Sequence, residues 1–391
     1  MMRPLDGITV VSIEQAIAAP YCTRLLGDLG ARVIKIERPD VGDFARHYDT
    51  RVHGLASHFV WCNRSKESIT LDLKKTRAVD AVKELLKTAD VFVQNLAPGA
   101  AERMGLGNAA LQALNPKLII CDISGYGSGG SCSQRKAYDL LIQAESGFLT
   151  ITGPESEPSK AGLSIADISA GVTSANAILS ALLLRGRTGE GTTIDVSMLE
   201  SMTEWMGYPL YYAYNDAPPP PRSGAGHATI YPYGPYSTAN GVVLFGLQND
   251  REWRAFATTV LLRPDLAADH RFTGNHGRNA HRHIIEPVIV ETLGALSVDE
   301  AIARLDAANI GTARVNEMRD VWAHRQLEER GRWGEVGTPG GTVRALIPIS
   351  GKAWKPAMGP VPALGQHTVA VLTELGLSGA DIADISLIKG E

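Results

Sequence analysis

A chain of 391 residues exceeds what one ordinary hydrophobic core holds, so two domains are expected. Its 44% apolar and 20% charged residues are the proportions of a soluble globular protein, and a net charge of −4 with no cluster of Lys and Arg argues against nucleic acid as a partner. The four cysteines, Cys22, Cys62, Cys121 and Cys132, show neither CxxC pairing nor metal-ligand spacing and read as buried free thiols of a reducing cytoplasm. No leader-like segment opens the chain, and Ser, Gly or Arg interrupts each long apolar stretch, so neither export nor membrane insertion is expected.

In chain order, Ile8–Ile13 is a short β-branched run, and Tyr21–Leu29 has helical periodicity that stops at Gly30. Arg32–Glu37 and Ser68–Leu73 read as strands. Arg77–Thr88 places Val79, Val82, Leu85 and Leu86 on one helical face, and Val91–Asn95 and Leu118–Ile123 are strands again. This alternation predicts a mostly parallel sheet covered by helices. A long helix is expected over Asp167–Leu184, closed by the Gly186–Gly191 turn and followed by a strand at Thr192–Val196 and a helix from Met198. Ala217–Arg222, with four consecutive prolines, reads as a stiff linker. Residues 225–325 suggest a second unit with strands and two or three helices. The remaining segment offers turns, one short strand and a helix near Thr368–Leu375.

Several motifs invite chemistry. Gly125–Gly130 formally fits GxGxxG, but six polar residues separate it from the next apolar pattern, so it reads as a mobile loop and not as a nicotinamide-dinucleotide site. Gly162-Leu-Ser164-Ile-Ala166 resembles a degraded nucleophile elbow that no clear strand leads into. The histidines at 47, 53 and 58 and at 276, 281 and 283 lack the spacing of a metal site. Ser164-Ile-Ala-Asp167 fits a capping box, in which Ser164 caps a helix and Asp167 returns the bond. The same position serves chemistry: a carboxylate in the first helical turn feels the positive end of the dipole, which favours the ionised, nucleophilic form.

Seven blocks, in order, resemble one family. They are Pro4–Val10 with Leu29–Pro39, Asn95–Leu106, Arg135–Asp139, Gly162–Gly171, Gly186–Gly191, Ala323–Gly331 and Leu364–Thr368. On these residues the chain resembles the class III coenzyme A transferases, typified by formyl-CoA transferase. The resemblance implies a large Rossmann-like α/β domain, mostly parallel, built from both chain ends, plus a smaller middle α/β domain, in an interlocked-ring homodimer. The corresponding ranges are 1–200 for the first part of the large CoA-binding domain, 201–224 for a linker, 225–325 for the small domain, and 326–391 for a linker and the rest of the large domain.

What the resemblance implies for chemistry is transfer of CoA from an acyl-CoA to a carboxylic acid, with Asp167 as a carboxylate nucleophile. It implies no metal and no NAD, and a cytoplasmic enzyme with neither a membrane nor a nucleic-acid partner. The CoA contacts fall on Ala18, Arg38, Leu71, Asp72, Leu73, Lys74, Asn95, Leu96, Ala97, Arg103, Lys136, Ala137, Tyr138 and Asp139. Gln15, Tyr231, Gly246 and Gln248 are assigned to the acyl group, with Arg222 and Tyr233 as further candidates for a second carboxylate. A family glutamine falls on Ile17 here, and the shielding glycine-rich loop is replaced by the shorter His227-Ala-Thr-Ile-Tyr231-Pro-Tyr233-Gly. Succinyl-CoA or another dicarboxylyl-CoA is the expected donor. Two alternatives stand beside this: an α-methylacyl-CoA racemase, whose essential histidine is replaced by Tyr138, and a CoA-binding protein without activity.

Overall fold

A computed structural model describes residues 2–386. The chain divides into two compact units. Among the described residues the larger comprises 2–146, 161–207 and 329–386; the smaller comprises 147–160 and 208–328.

The larger unit is built on six strands: β1 (Thr9–Ile13), β2 (Arg32–Glu37), β3 (Lys66–Thr70), β4 (Val91–Gln94), β5 (Ile119–Ser124) and β6 (Thr192–Ser197). Their order is β3-β2-β1-β4-β5-β6 and every pairing is parallel. The order reverses direction at β1, between β2 and β4, which opens a crevice at the carboxyl ends of those strands. Strands buried on both faces read as near-continuous apolar runs, and Val10, Val11, Ile34, Val91, Phe92, Ile119 and Ile120 are all buried. On one face Val11, Ile34, Ile69, Phe92 and Ile120 pack with Val79, Val82 and Leu86 of the helix Thr76–Thr88.

The C-terminal segment belongs to this unit because it covers the free edge of β3. Thr70 N–H donates to Thr368 Oγ1 at 2.9 Å, Ser68 N–H donates to His367 Nδ1 at 3.1 Å, and Ser68 C=O accepts from His367 N–H at 2.9 Å. An uncovered edge would be open to another strand. Where the sequence suggests one short strand near the end, the structure has an antiparallel hairpin, β10 (Trp333–Thr338) with β11 (Gly341–Leu346), and a further helix at Gly379–Ser386.

The helix expected over Asp167–Leu184 runs from Ile165 to Thr188. Its 24 residues include a stretch of mean hydropathy 1.4, so by length and composition it is sufficient to cross a bilayer, contrary to the sequence expectation that every apolar stretch is interrupted. Its serines and glycines do not break it, because they lie on a small-residue face, with Ser169, Ala170, Gly171, Ser174 and Ala175 all buried. Gly171 faces the helix Ala18–Asp28, and a Cβ there would lie 2.8 Å from the Ala18 carbonyl oxygen and 3.1 Å from the Tyr21 ring.

The smaller unit pairs β7 (Tyr233–Thr238), β8 (Gly241–Gly246) and β9 (Thr312–Arg314) as an antiparallel sheet. Its core joins Phe245, Trp253, Phe256 and Phe272 to Ile285, Ile289 and Leu293 of the helix Arg282–Gly294. Seven α-helices of four residues or more lie between Asp250 and Glu329, more than the two or three that apolar periodicity suggests, because several are single turns too short to show a period. The proline tract adopts no regular secondary structure, and Arg222 at its end donates to the carbonyls of Thr150, Pro154 and Glu155.

Replacing Gly171 by Ala forces the two helices apart and is expected to cost about 1–3 kcal/mol. Chemical denaturation measures this directly; an unchanged midpoint would show that the close approach is not a packing constraint.

Candidate active site

Asp167 occupies the third position of the helix Ile165–Thr188. The capping box suggested by the sequence does not form, since the Ser164 side chain makes no cap hydrogen bond. Asp139 supplies the cap instead. Its Oδ1 accepts from the N–H groups of Ala166 at 2.8 Å and Asp167 at 3.2 Å. Its Oδ2 accepts from Gln143 Nε2 at 2.6 Å, and Gln143 Oε1 accepts from Ala161 N–H at 2.9 Å. The Asp167 carboxyl is therefore released from capping and sits half-buried at the helix start.

Burial, and then the neighbouring Asp139 charge, push the Asp167 carboxyl up to about 7. This reverses the expectation that the helix dipole favours ionisation. Desolvation disfavours the anion, and the N–H groups that would stabilise it are already taken by Asp139. Ser164 likewise has no nucleophile-elbow geometry, because it stands at a helix N-cap with no strand before it.

The turn after β1 is held from two sides. Gln15 N–H donates to Asn95 Oδ1 at 2.9 Å, and Asn95 Nδ2 donates to the Gln15 carbonyl at 2.9 Å. Ala16 N–H donates to Asp43 Oδ1 at 3.0 Å, with Ala16 in the left-handed region at φ 62°. A non-glycine residue stays there only when its surroundings over-determine it. The next residues, Ile17 and Ala18, begin the helix Ala18–Asp28 and are buried.

Beneath this turn lies a charge cluster. Glu14, Lys35 and Lys66 side chains have no solvent exposure. Lys66 Nζ donates to Glu14 Oε1 at 2.7 Å, and Lys35 Nζ donates to Asp43 Oδ2 at 2.8 Å. Burial pushes Glu14 up, but Lys66 and Lys35 outweigh it and the net shift is downward. Glu37 is also buried, yet its hydrogen bonds from Arg46 and the Lys35 charge bring it down to about 2.

The other residues expected to hold CoA follow the carboxyl ends of the parallel strands. Arg38 is exposed directly after β2 and Leu71–Lys74 directly after β3. Asn95–Ala97 follow β4, with exposed Arg103 one turn on, and Lys136–Asp139 close the loop after β5. The Gly125–Gly130 segment opens no helix; the next one begins at Asp139. Asn95 is engaged with the Gln15 backbone, so its side chain positions that turn. Three of the residues assigned to the acyl group belong to the smaller unit. Tyr231 is buried with its hydroxyl donating to Glu286, Gln248 is exposed, and Gly246 lies under the Tyr233 ring.

Sequence reasoning misses Glu14, Asp43 and Tyr48. Charged residues inside apolar strand patterns, as at Lys35 and Lys66, are the signal that would have found the first two. Tyr48 carries no such signal. It is placed by ring contacts, 6.0 Å from Phe44 and 5.5 Å from His58 between centroids, and burial with the Asp43, Asp167 and Tyr138 charges pushes its phenol up to about 12.

The model of CoA-transferase family III matches residues 5–368. The chain belongs to that family. Over 388 residues, this family III member is 33% identical to a succinyl-CoA:glutarate CoA-transferase of Mus musculus, covering 96% of this chain and 87% of the relative. It is 33% identical over 390 residues to a succinyl-CoA:mesaconate CoA-transferase of Haloarcula marismortui, covering 96% and 97%. A crystal structure of a CAIB/BAIF family protein from Brucella suis superposes with a TM-score of 0.86 at 33% identity, covering 96% of this chain and all of that one. The chain is accordingly a class III CoA-transferase, an enzyme of acyl-CoA metabolism.

For a reaction that requires the ionised Asp167 carboxyl, held at about 7, kcat/KM is expected to fall about tenfold per pH unit on the acid side of 7. Asp139→Asn removes the like charge that raises Asp167, so the acid limb moves to lower pH. A pH–rate profile that keeps its limb near 7 in this variant would detach the limb from the Asp139–Asp167 pair.

Proposed function

We propose that Asp167 is the nucleophile of a CoA transfer between two carboxylic acids, with succinyl-CoA or another dicarboxylyl-CoA as donor. The observation that carries this is a half-buried carboxyl freed from its capping duty by Asp139 and titrating at about 7, which leaves a substantial anionic fraction at neutral pH. An Asp167 oxygen attacks the donor thioester carbonyl, the carbon–sulfur bond breaks, and CoA leaves as a thiolate from a mixed aspartyl–acyl anhydride. The thiolate returns to the aspartyl carbonyl, expelling the donor acid as its carboxylate and leaving an aspartyl-CoA thioester. The acceptor carboxylate attacks that thioester, expels CoA thiolate and forms the second anhydride. Thiolate attack on the acceptor carbonyl then yields the new acyl-CoA and free Asp167. Each step exchanges one activated acyl bond for another, so no large free-energy drop separates them. Water must be excluded for the anhydride to survive.

The CoA phosphates are assigned to Arg38, Lys74, Arg103 and Lys136, with Ala18, Leu71–Leu73, Asn95–Ala97 and Ala137–Asp139 along the rest of the molecule. The cationic members are exposed and lie at or beyond successive strand ends, where ligands bind in open parallel sheets. A homodimer is part of the proposal: Leu183 (71% exposed), Tyr211 (81%) and Ile349 (90%) are apolar side chains that a second subunit would cover. Family relatives named for succinate, glutarate and mesaconate support acids of that class as substrates.

Brief incubation with succinyl-CoA, followed by hydroxylamine or borohydride trapping and intact-protein mass spectrometry, should label Asp167. Asp167→Ala should lose transfer by several orders of magnitude while keeping CoA affinity; continued turnover in that variant would dismiss the nucleophile. Arg38→Ala should weaken CoA binding about tenfold with a small effect on kcat, measured by CoA titration and steady-state kinetics, because a phosphate contact is remote from the reacting bond. An unaltered CoA dissociation constant would remove Arg38 from the binding surface.

A further inference from the structure

Strand β4 ends on Gln94, and the segment that follows, Asn95-Leu96-Ala97, is one of those assigned to CoA. In the parallel pairing of β4 with β5, Gln94 lies beside Asp122. Their side chains are joined, with Gln94 Nε2 donating to Asp122 Oδ1 at 2.8 Å. The other end of the same amide turns back on its own segment, where Gln94 Oε1 accepts from Leu96 N–H at 2.7 Å. The second Asp122 oxygen is also occupied. It accepts from Nδ2 of Asn108, the first residue of the helix Asn108–Leu114, at 2.6 Å.

Hydrogen-bonding capacity fixes the direction of this chain of contacts. A backbone N–H only donates, so Leu96 must meet the oxygen of the Gln94 amide, and the amide NH2 group is left facing Asp122. An ionised carboxylate only accepts, so it suits both NH2 groups that reach it. Burial works against the Asp122 charge, and the Asn108 and Gln94 amides oppose that effect. An apolar residue at position 122 would leave Gln94 Nε2 without its acceptor and the amide free to turn away from Leu96.

The neighbours of Leu96 are held as well. Asn95 exchanges two hydrogen bonds with the Gln15 backbone. The Ala97 carbonyl accepts from Ala100 N–H at 3.0 Å, closing a turn through Gly99, which lies in the left-handed region at φ 71°. That turn runs directly into the short helix Ala100–Arg103, whose last residue is a cation assigned to a CoA phosphate. The backbone at Leu96 therefore sets where the exposed Ala97 and Arg103 stand.

We infer that Gln94 and Asp122 are positioning residues for CoA: the carboxylate on β5 orients the amide on β4, which locks the Leu96 backbone so that Ala97 and Arg103 meet the coenzyme in a preset arrangement. The inference rests on the assignment of Asn95–Ala97 and Arg103 to CoA. A segment ordered in advance loses less freedom on binding, so releasing the lock weakens affinity without touching the reacting atoms.

Calorimetric titration of the full-length protein with CoA, alongside steady-state transfer from succinyl-CoA to glutarate, tests this in the wild type, Gln94→Leu, Asp122→Val and Asp122→Asn. Gln94→Leu and Asp122→Val are expected to raise the CoA Kd and the donor KM about tenfold, with kcat at saturating donor nearly unchanged. Asp122→Asn keeps an acceptor oxygen for Gln94, and its amide donates to Asn108 once that side chain flips, so affinity close to that of the wild type is expected. Thermal unfolding of each variant separates positioning from folding. Variants that unfold earlier yet bind CoA as the wild type does overturn the inference, as does Asp122→Asn binding as poorly as Asp122→Val. Ala97→Trp, which sets an indole on the assigned surface, tests the reading beneath. CoA affinity indifferent to Ala97→Trp overturns that assignment and the inference with it, whereas binding weakened by Ala97→Trp alone overturns only the inference.

Discussion

Glu14 is a carboxylate with no solvent exposure, and much of the larger unit is arranged to make that tolerable. Lys66 from β3 and Lys35 from β2 converge on it, and Thr23 of the first helix donates its hydroxyl at 2.7 Å. Lys66 is further held by the Pro20 carbonyl at 2.8 Å and Asn63 Oδ1 at 3.0 Å. Isolated, any of these buried charges would cost several kcal/mol; satisfied together, they tie β1, β2 and β3 to one helix. Removing one member strands the others, so this cluster acts as a unit.

Its consequence is the conformation of the turn that follows β1. Lys35 holds Asp43, Asp43 holds the Ala16 N–H, and Ala16 adopts a backbone conformation that alanine seldom adopts unaided. Asn95 closes the same turn from the β4 side. The rigid polar cluster and the topological switch point thus coincide at the end of β1.

Around Asp167 the design is electrostatic opposition. Asp139 stabilises the helix start that carries Asp167, but its charge and the surrounding burial work against ionisation of the side chain it positions. Of two nearby carboxylates, Asp139 is fixed by three hydrogen bonds, and Asp167 is left with a carboxyl near neutrality. Such division of labour between adjacent acids is a general route to a reactive carboxylate at physiological pH.

The sequence by itself determined the alternation of strands and helices, the long helix bearing Asp167, and the family. Those follow from apolar periodicity and from ordered blocks, which are local properties of the chain. Apart from Ala18, the residues that the family resemblance assigns to CoA follow the ends of β2, β3, β4 and β5, but Glu14 at the end of β1 was not among them. The sequence could not show that Asp139, 28 positions away, would displace Ser164 as the helix cap, because capping by a distant side chain has no local pattern. Nor could it reveal that Lys35 and Lys66 point inward to Glu14. It also placed Tyr231 at the acyl group, whereas its hydroxyl is committed to Glu286. Burial and hydrogen-bond partnership between residues distant in sequence arise only when the chain is folded, and they decided which of the legible residues are free to react.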